Sequence, residues 1–312
     1  MKRKILTLTF ALAVLLPSLA GLMLAEITTA NNPGSWFHQE HYPTITINSD
    51  GSITPQTHLI SRERNTYMLT ANVTTYMIFI DCSDIVFDGN GYTINLCNEK
   101  DPALTVGHGP IGVRNVTIKN VEVLSYSESI QLSSCVYCQI INVKANSDIQ
   151  LDMSNDTIIS QCRGPIKIGW GSSDNQIFRN NITHLSVSLQ TTSNVFYANN
   201  FLSDGRYVAA DCFWDYSQVG NYWIDYNGTD ANRDGVGDTQ YIINDGNIDH
   251  YPLMQPYDIE NNKIILPAQE LVNETAPFVL AAGVSTLSVA VVVMGLIYYK
   301  KKVGELKNNE NL

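Results

Sequence analysis

The densest run of ligand-type side chains lies between Asp230 and Asp238. Asp230, Asn232, Asp234 and Asp238 place oxygen side chains at positions 1, 3, 5 and 9 of a loop, with Gly235 at position 6 and the Val236 carbonyl at position 7. Calcium loops of the EF-hand order use this spacing, because alternate residues turn inward as the chain wraps and glycine permits the sharp turn. Position 12 is Tyr241 rather than a bidentate Glu, so a further ligand is expected from Asp245 or Asp249. Ca2+ in a structural role is the expected cofactor. An ion-free cluster of Asx turns is the alternative.

Two other groups could carry chemistry. Asp148 and Asp152 are four residues apart and would share one face of a strand, as the paired carboxylates of glycoside cleavage must. Lys144, Asp174 and Arg179 could add charge nearby, yet no complete catalytic constellation is formed. Trp214, Tyr216, Tyr222, Trp223 and Tyr226 crowd together just before the Asp-rich loop. Trp214, Tyr222 and Trp223 are candidates for stacking on sugar rings; the same residues could instead plug the end of a core. The cysteines Cys82, Cys97, Cys135, Cys138, Cys162 and Cys212 include one CxxC with no second pair to complete a zinc site, so structural thiols or disulfides are expected.

The elements that position these groups come from a repeat. Asp84-Ile-Val-Phe-Asp-Gly-Asn is followed by Asn115-Val-Thr-Ile-Lys-Asn-Val, Cys138-Gln-Ile-Ile-Asn-Val, Asp156-Thr-Ile-Ile-Ser-Gln, Asn175-Gln-Ile-Phe-Arg-Asn-Asn and Asn194-Val-Phe-Tyr-Ala-Asn-Asn. With Ile118, Ile140, Ile158, Ile177 and Phe196 taken as equivalent, the steps are 22, 18, 19 and 19 residues. Short β-branched runs broken by Asn, Asp, Ser and Gly at this period predict a β-solenoid. Stacked coils would align an Ile column in the core and an Asn column at a corner. The Asn pairs Asn180/Asn181 and Asn199/Asn200 are read first as that structural ladder. A cap is expected at each end, since open edges invite pairing with other chains.

The ends of the chain predict export and anchoring. Lys2, Arg3 and Lys4 precede an apolar run from Ile5 to Leu24, with small residues beyond it, as in a secretion signal. Phe278 to Tyr299 carries no charge and is long enough to span a bilayer, and Lys300, Lys301 and Lys302 follow it. Positive residues stay inside, so the body is expected outside the cell and the C-terminus in the cytoplasm. The chain holds 19 Lys+Arg and 30 Asp+Glu. Between the two basic ends 12 basic and 28 acidic residues remain, a net charge of −16, which argues against nucleic acid as a partner. Sequons at Asn72, Asn115, Asn155, Asn181, Asn227 and Asn273 make glycosylation an expectation.

Gly220-Asn-Tyr-Trp-Ile-Asp-Tyr226, the Asp230 to Thr239 loop and Asp249-His-Tyr-Pro-Leu-Met254, following Asn-rich coils, resemble the NosD-like right-handed parallel β-helix proteins. Ile47-Asn-Ser-Asp-Gly-Ser-Ile-Thr-Pro-Gln-Thr57 is similar to the start of archaeal surface members of that group. The resemblance covers about Tyr42 to Pro256. It implies a β-helix related to carbohydrate-binding and sugar-hydrolase helices, and a family tie to periplasmic copper delivery. Copper needs clustered Met, His or Cys, and of the six His residues only His38 and His41 lie close in sequence.

The expected architecture is an all-β, right-handed parallel β-helix with caps and one C-terminal transmembrane helix. Its parts are a signal peptide at 1–30, an N-terminal β cap at 42–80, coils at 81–211 and an aromatic, Asp-rich cap at 212–258. A stalk at 259–277, the span at 278–299 and a tail at 300–312 complete the chain. The expected role is non-catalytic binding of a glycan or envelope component, or an adhesive or structural function. A polysaccharide lyase or hydrolase and a copper-handling protein are the alternatives.

Overall fold

The computed structural model describes residues 43–97, 101–107 and 112–261. Among them the chain is all-β. No helix occurs, 20 short strands form one long, mostly parallel sheet, and an antiparallel hairpin forms a two-stranded sheet of its own. The expected leader, membrane span, tail and most of the stalk lie outside the described residues, as do Asn273, His38 and His41. No helix of the described residues is long and apolar enough to cross a membrane.

The sheet curls into a coil with three faces. One face stacks Thr44–Ile47, Met77–Ile80, Leu104–Val106, Ile130–Ser133, Ile149–Asp152, the end of Arg163–Ile168, the end of Asn181–Val187 and Arg206–Val208, all in parallel. A second stacks Thr66–Leu69, Val86–Asp88, the start of Thr117–Ser125, the start of Gln139–Ala145, Ile158–Ser160, Gln176–Phe178 and Val195–Tyr197. The third ends with Asn181 and Ile182 over Asn200–Phe201, which lies over Tyr222–Trp223. The stack therefore begins at Thr44, inside the stretch read as an N-terminal cap. Only Ile53–Thr54 and Ile60–Glu63 run antiparallel there and cover the first coil.

Alternation sets the core. On the second face Tyr67, Phe87, Ile118, Ile140, Ile159, Ile177 and Phe196 align in register and are all buried. The equivalence drawn through Ile158 is corrected by one residue. Ile140 pairs with Ile159, and Ile158 points outward. Side chains alternate faces along a strand, so a one-residue slip moves the whole apolar set to solvent; burial selects the register that spacing alone left ambiguous.

Corners, not strands, explain the Asn content. Asp84, Asn115, Tyr137, Asp156, Asp174 and Ser193 occupy one corner column with positive φ. Asn120, Asn142, Gln161, Arg179 and Ala198 form another. Asn and Asp tolerate this left-handed backbone better than most residues. Beside each corner an inward polar column repairs the hydrogen bonds that the bend removes. Asn180, Asn199 and Asn221 are fully buried, and each amide oxygen accepts the backbone N–H of the coil before it: Cys162, Asn180 and Asn199, at 2.8, 3.1 and 3.1 Å. Each amide nitrogen donates back to a corner carbonyl, Ile159, Ile177 and Phe196 respectively, at 2.9, 2.8 and 3.0 Å. Asn175 and Asn194 repeat the device at a second corner, and Ser154 and Ser172 at a third.

Cysteines head these columns. Cys162 stands above Asn180, and Cys135 above Ser154. All six described cysteines are free thiols. Replacing Asn199 by Ala strands the Asn180 N–H and the Ile177 carbonyl in the core. A loss of about 2–6 kcal/mol of unfolding free energy is expected, read from denaturant unfolding, whereas Asn227→Ala on the exposed cap surface leaves it unchanged.

Candidate functional site

The last coil is closed by aromatic rings. Trp214 stacks on Phe196 at 4.7 Å between centroids, and Trp223 lies between Phe201 at 4.1 Å and Tyr241 at 4.5 Å. Arg206 sits over both Trp223 and Tyr241 and pairs with Asp225 at 2.5 Å. Partial burial opposes the Asp225 charge, but hydrogen bonds from Arg206 and Tyr241 prevail and hold its carboxyl below the usual range. Trp214 and Trp223 are each 1% exposed. That corrects their reading as sugar-stacking rings, because neither has a free face. Tyr222 is half-buried against Leu253 and Tyr257. Trp214 and Trp223 close the end of the core, and Tyr222 packs in a separate small cluster outside it.

The buried Asn column ends in this plug on a carboxylate. Asp249 is fully buried and its Oδ2 accepts from the Asn221 backbone N–H at 2.7 Å, the Asn221 amide at 3.2 Å and the Trp223 indole at 2.8 Å. Its Oδ1 accepts from Tyr251 N–H at 3.1 Å. Burial pushes this carboxyl up to about 6, against the pull of those donors. Asp249 is thereby committed to the column and is not available as the missing calcium ligand.

Beside the plug an open groove of about 760 Å³ is lined by residues 189–193, 209–215 and Gly246, Ile248 and His250. That volume lies within the range of small-ligand sites. Phe213 is 60% exposed and Leu189 63%. Gln190, Thr192, Ser193, Asp211 and Asp215 share the lining, while Thr191 is buried with its hydroxyl donating to the Ser188 carbonyl. Asp215 holds the His250 ring by Nδ1 at 2.8 Å and its backbone N–H at 3.2 Å. No Lys or Arg lines the groove. Neither Phe213 nor the Asp215–His250 pair stood out in the sequence, because the residues meet only when the 246–250 hairpin folds against the coil end.

Other candidates fall elsewhere. Asp148 and Asp152 bracket Ile149–Asp152 at its two ends. Four residues of strand separate them by about 13 Å, beyond the spacing at which two carboxyls share one glycosidic bond. Burial raises the Asp148 carboxyl, Lys167 and His184 oppose the rise, and Glu128 adds to it. Asp152 is occupied by hydrogen bonds from Gln131 and Gln150. In the Asp-rich loop, Asp230 accepts backbone N–H groups of Asp234 at 3.1 Å and Gly235 at 3.0 Å, and the Asn232 amide donates to Asp234 at 2.8 Å. Asp238 folds back to accept from Ala231 N–H at 2.9 Å. Val236 bridges to Leu253. Among the described residues no three His, Cys, Asp or Glu side chains converge as a metal-holding group.

Of the sequons, Asn72, Asn115 and Asn227 are exposed. Asn155 and Asn181 are half-buried, their amide oxygens accepting from Ser173 N–H and the Asn200 amide.

No family model matches the chain. A stretch of 119 residues is 34% identical to a probable ABC transporter binding protein NosD of Stutzerimonas stutzeri. Over that stretch the chain is similar to that protein and spans about a quarter of its length. The match takes in 35% of this chain and 27% of that protein. It agrees with the coiled, mostly parallel sheet, which fits a β-helix family.

The Asp249 carboxyl makes stability depend on pH. Folded, it keeps its proton to about pH 6; unfolded, it releases it near 3.8. The folded state therefore binds more protons between these values. Its stabilising contribution is complete below about pH 4 and is lost as pH rises through 6, by about 3 kcal/mol. Thermal melts of the protein are expected to show this decline between pH 4 and 6, and Asp249→Asn to flatten it.

Proposed function

We propose that this chain is an exported, membrane-anchored right-handed β-helix protein that binds a glycan on its outer surface without cleaving it. The observation that carries the reading is the groove at the coil end. An exposed phenyl ring stands there beside hydroxyls, an amide and carboxylates. Apolar ring faces of sugars pack on aromatic faces while their hydroxyls need fixed polar partners, and the groove offers both. The apolar run at 278–299, its Lys flank and the N-terminal apolar run support the anchored, extracellular setting. The exposed sequons support glycosylation of that surface.

One specific feature favours a second reading. The Asp215–His250 pair opens onto the same groove and could serve as an oriented base in polysaccharide cleavage. Copper handling is raised by the NosD likeness; among the described cysteines Cys97 is exposed and the other five are buried. Burial pushes Cys162 and Cys212 up to about 12, which leaves them protonated and poor ligands at neutral pH.

Ca2+ in the Asp230–Asp238 loop is proposed as a lock on the C-terminal cap, since an ion held only by the folded form stabilises it by mass action. At a hundredfold excess over its dissociation constant the gain is about 2.7 kcal/mol. Chelation should therefore lower the Tm of the detergent-solubilised full chain, and calcium should restore it in the wild type but not in Asp230→Ala. A Tm indifferent to both would retire the ion.

For the groove, Phe213→Ala is expected to weaken glycan binding about tenfold or more with an unchanged melt, measured by calorimetry. Release of new reducing ends or unsaturated sugars, abolished by His250→Ala, would instead establish the enzyme reading.

A further inference from the structure

The groove does not stop at the coil end. Trp170 and Leu189 occupy one position in successive coils, and Met153 lies beside them in the coil before, where its in-register partner is Gly171. Met153 N–H donates to the Trp170 carbonyl at 2.9 Å, and Leu189 follows from the pairing of Ile168 with Val187. The next place in the column is Ala210, which lines the groove, as Leu189 does. The three apolar side chains are 44%, 59% and 63% exposed. The Trp170 indole N–H donates to Gln190, itself a groove residue, so the ring is tied to the groove edge.

Other corner columns carry chiefly Asn, Asp and Ser, which solvate the bend. Met153, Trp170 and Leu189 instead place large apolar side chains beside one bend in three successive coils, and contiguous exposed apolar surface marks a binding face. Their spacing is that of neighbouring strands, about 4.8 Å, close to the advance of one sugar unit along an extended polysaccharide. Charge selects among such chains. The lining carries Asp211 and Asp215 with no Lys or Arg, and Asp152 lies one residue before Met153. A polyuronate or sulfated chain would be repelled there.

We propose that the ligand is an uncharged polysaccharide chain lying along the solenoid axis, one end in the groove and its sugar faces on Leu189, Trp170 and Met153. This rests on the glycan reading of the groove and adds the direction, length and charge of the ligand.

Calorimetry of the detergent-solubilised full chain with cello-oligosaccharides from di- to hexasaccharide, and with oligogalacturonates, tests it. Affinity for the neutral series should rise about tenfold or more with length. Trp170→Ala should remove the gain with length but keep disaccharide binding, and Phe213→Ala should weaken both. Trp170 and Phe213 are exposed, so unchanged melts will certify both variants. Length-independent affinity, or a Trp170→Ala variant equal to wild type, overturns the axial chain and leaves the groove reading standing. Tighter binding of oligogalacturonate overturns the charge assignment. No binding by any neutral oligosaccharide overturns the groove reading together with the inference built on it.

Discussion

Backbone hydrogen bonding at the corners is the constraint on which the molecule depends. A coiled sheet satisfies its strands by stacking, but each bend carries buried N–H and carbonyl groups out of register with the ladder. The inward Asn and Ser columns restore them, one coil supplying the next. Asn180, Asn199 and Asn221 bond both to the backbone and to each other, at 3.0 and 2.9 Å between side chains. Such a column transmits register along the axis, because an amide displaced by one residue would leave both its own polar atoms and its neighbour's unpaired in the core. It must also end. The solution here is Asp249, a carboxylate that accepts the final amide and the indole of the plug together.

That ending ties the coil to its cap. Trp223 belongs to the last parallel rung, through its pairing with Phe201, and to the plug, through Asp249. Asn247, from the same hairpin as Asp249, accepts the Cys212 N–H at 3.0 Å and the Trp214 indole at 2.8 Å. The hairpin is thus fixed by buried polar contacts rather than by a large apolar area of its own. Its position sets the groove, since residues 209–215 form one wall and 246–250 another. A structural necessity, closing the end of a solenoid, creates the concave surface on which the functional reading rests. The chain then doubles back: Asn200 bonds both the N–H and the carbonyl of Tyr257, at 2.7 and 2.8 Å, holding the exit segment against the side of the coil.

The outer surface follows the same periodicity. Whatever stands at a corner in one coil stands beside its counterpart in the next, so a solenoid converts a sequence repeat into a line of like chemistry. At two corners that line is polar and serves the turn. Beside the bend where Met153, Trp170 and Leu189 lie in neighbouring coils the surface is apolar and unmatched by any need of the fold. The acidic surface and the lack of basic residues at the groove bias the same face against anionic ligands.

The chain's residue types and spacing determined the all-β solenoid, its period, the structural role of the Asn pairs and the plug as one reading of the Trp and Tyr cluster. Those properties are local or repeat along the chain, so each coil restates them. Tertiary structure decided the rest. It chose Ile159 over Ile158, because only burial distinguishes two adjacent β-branched residues. It sent Trp214 and Trp223 inward and left Phe213 and Trp170 outside, a difference of environment that residue type does not encode. It separated Asp148 from Asp152 by the length of a strand, and it gave Asp249 to the Asn column rather than to a cation. It brought Asp215 to His250 across 35 residues of chain. Spacing along a sequence specifies neighbours within a coil, whereas a site assembled from a corner, a wall and a hairpin exists only once the coil has closed.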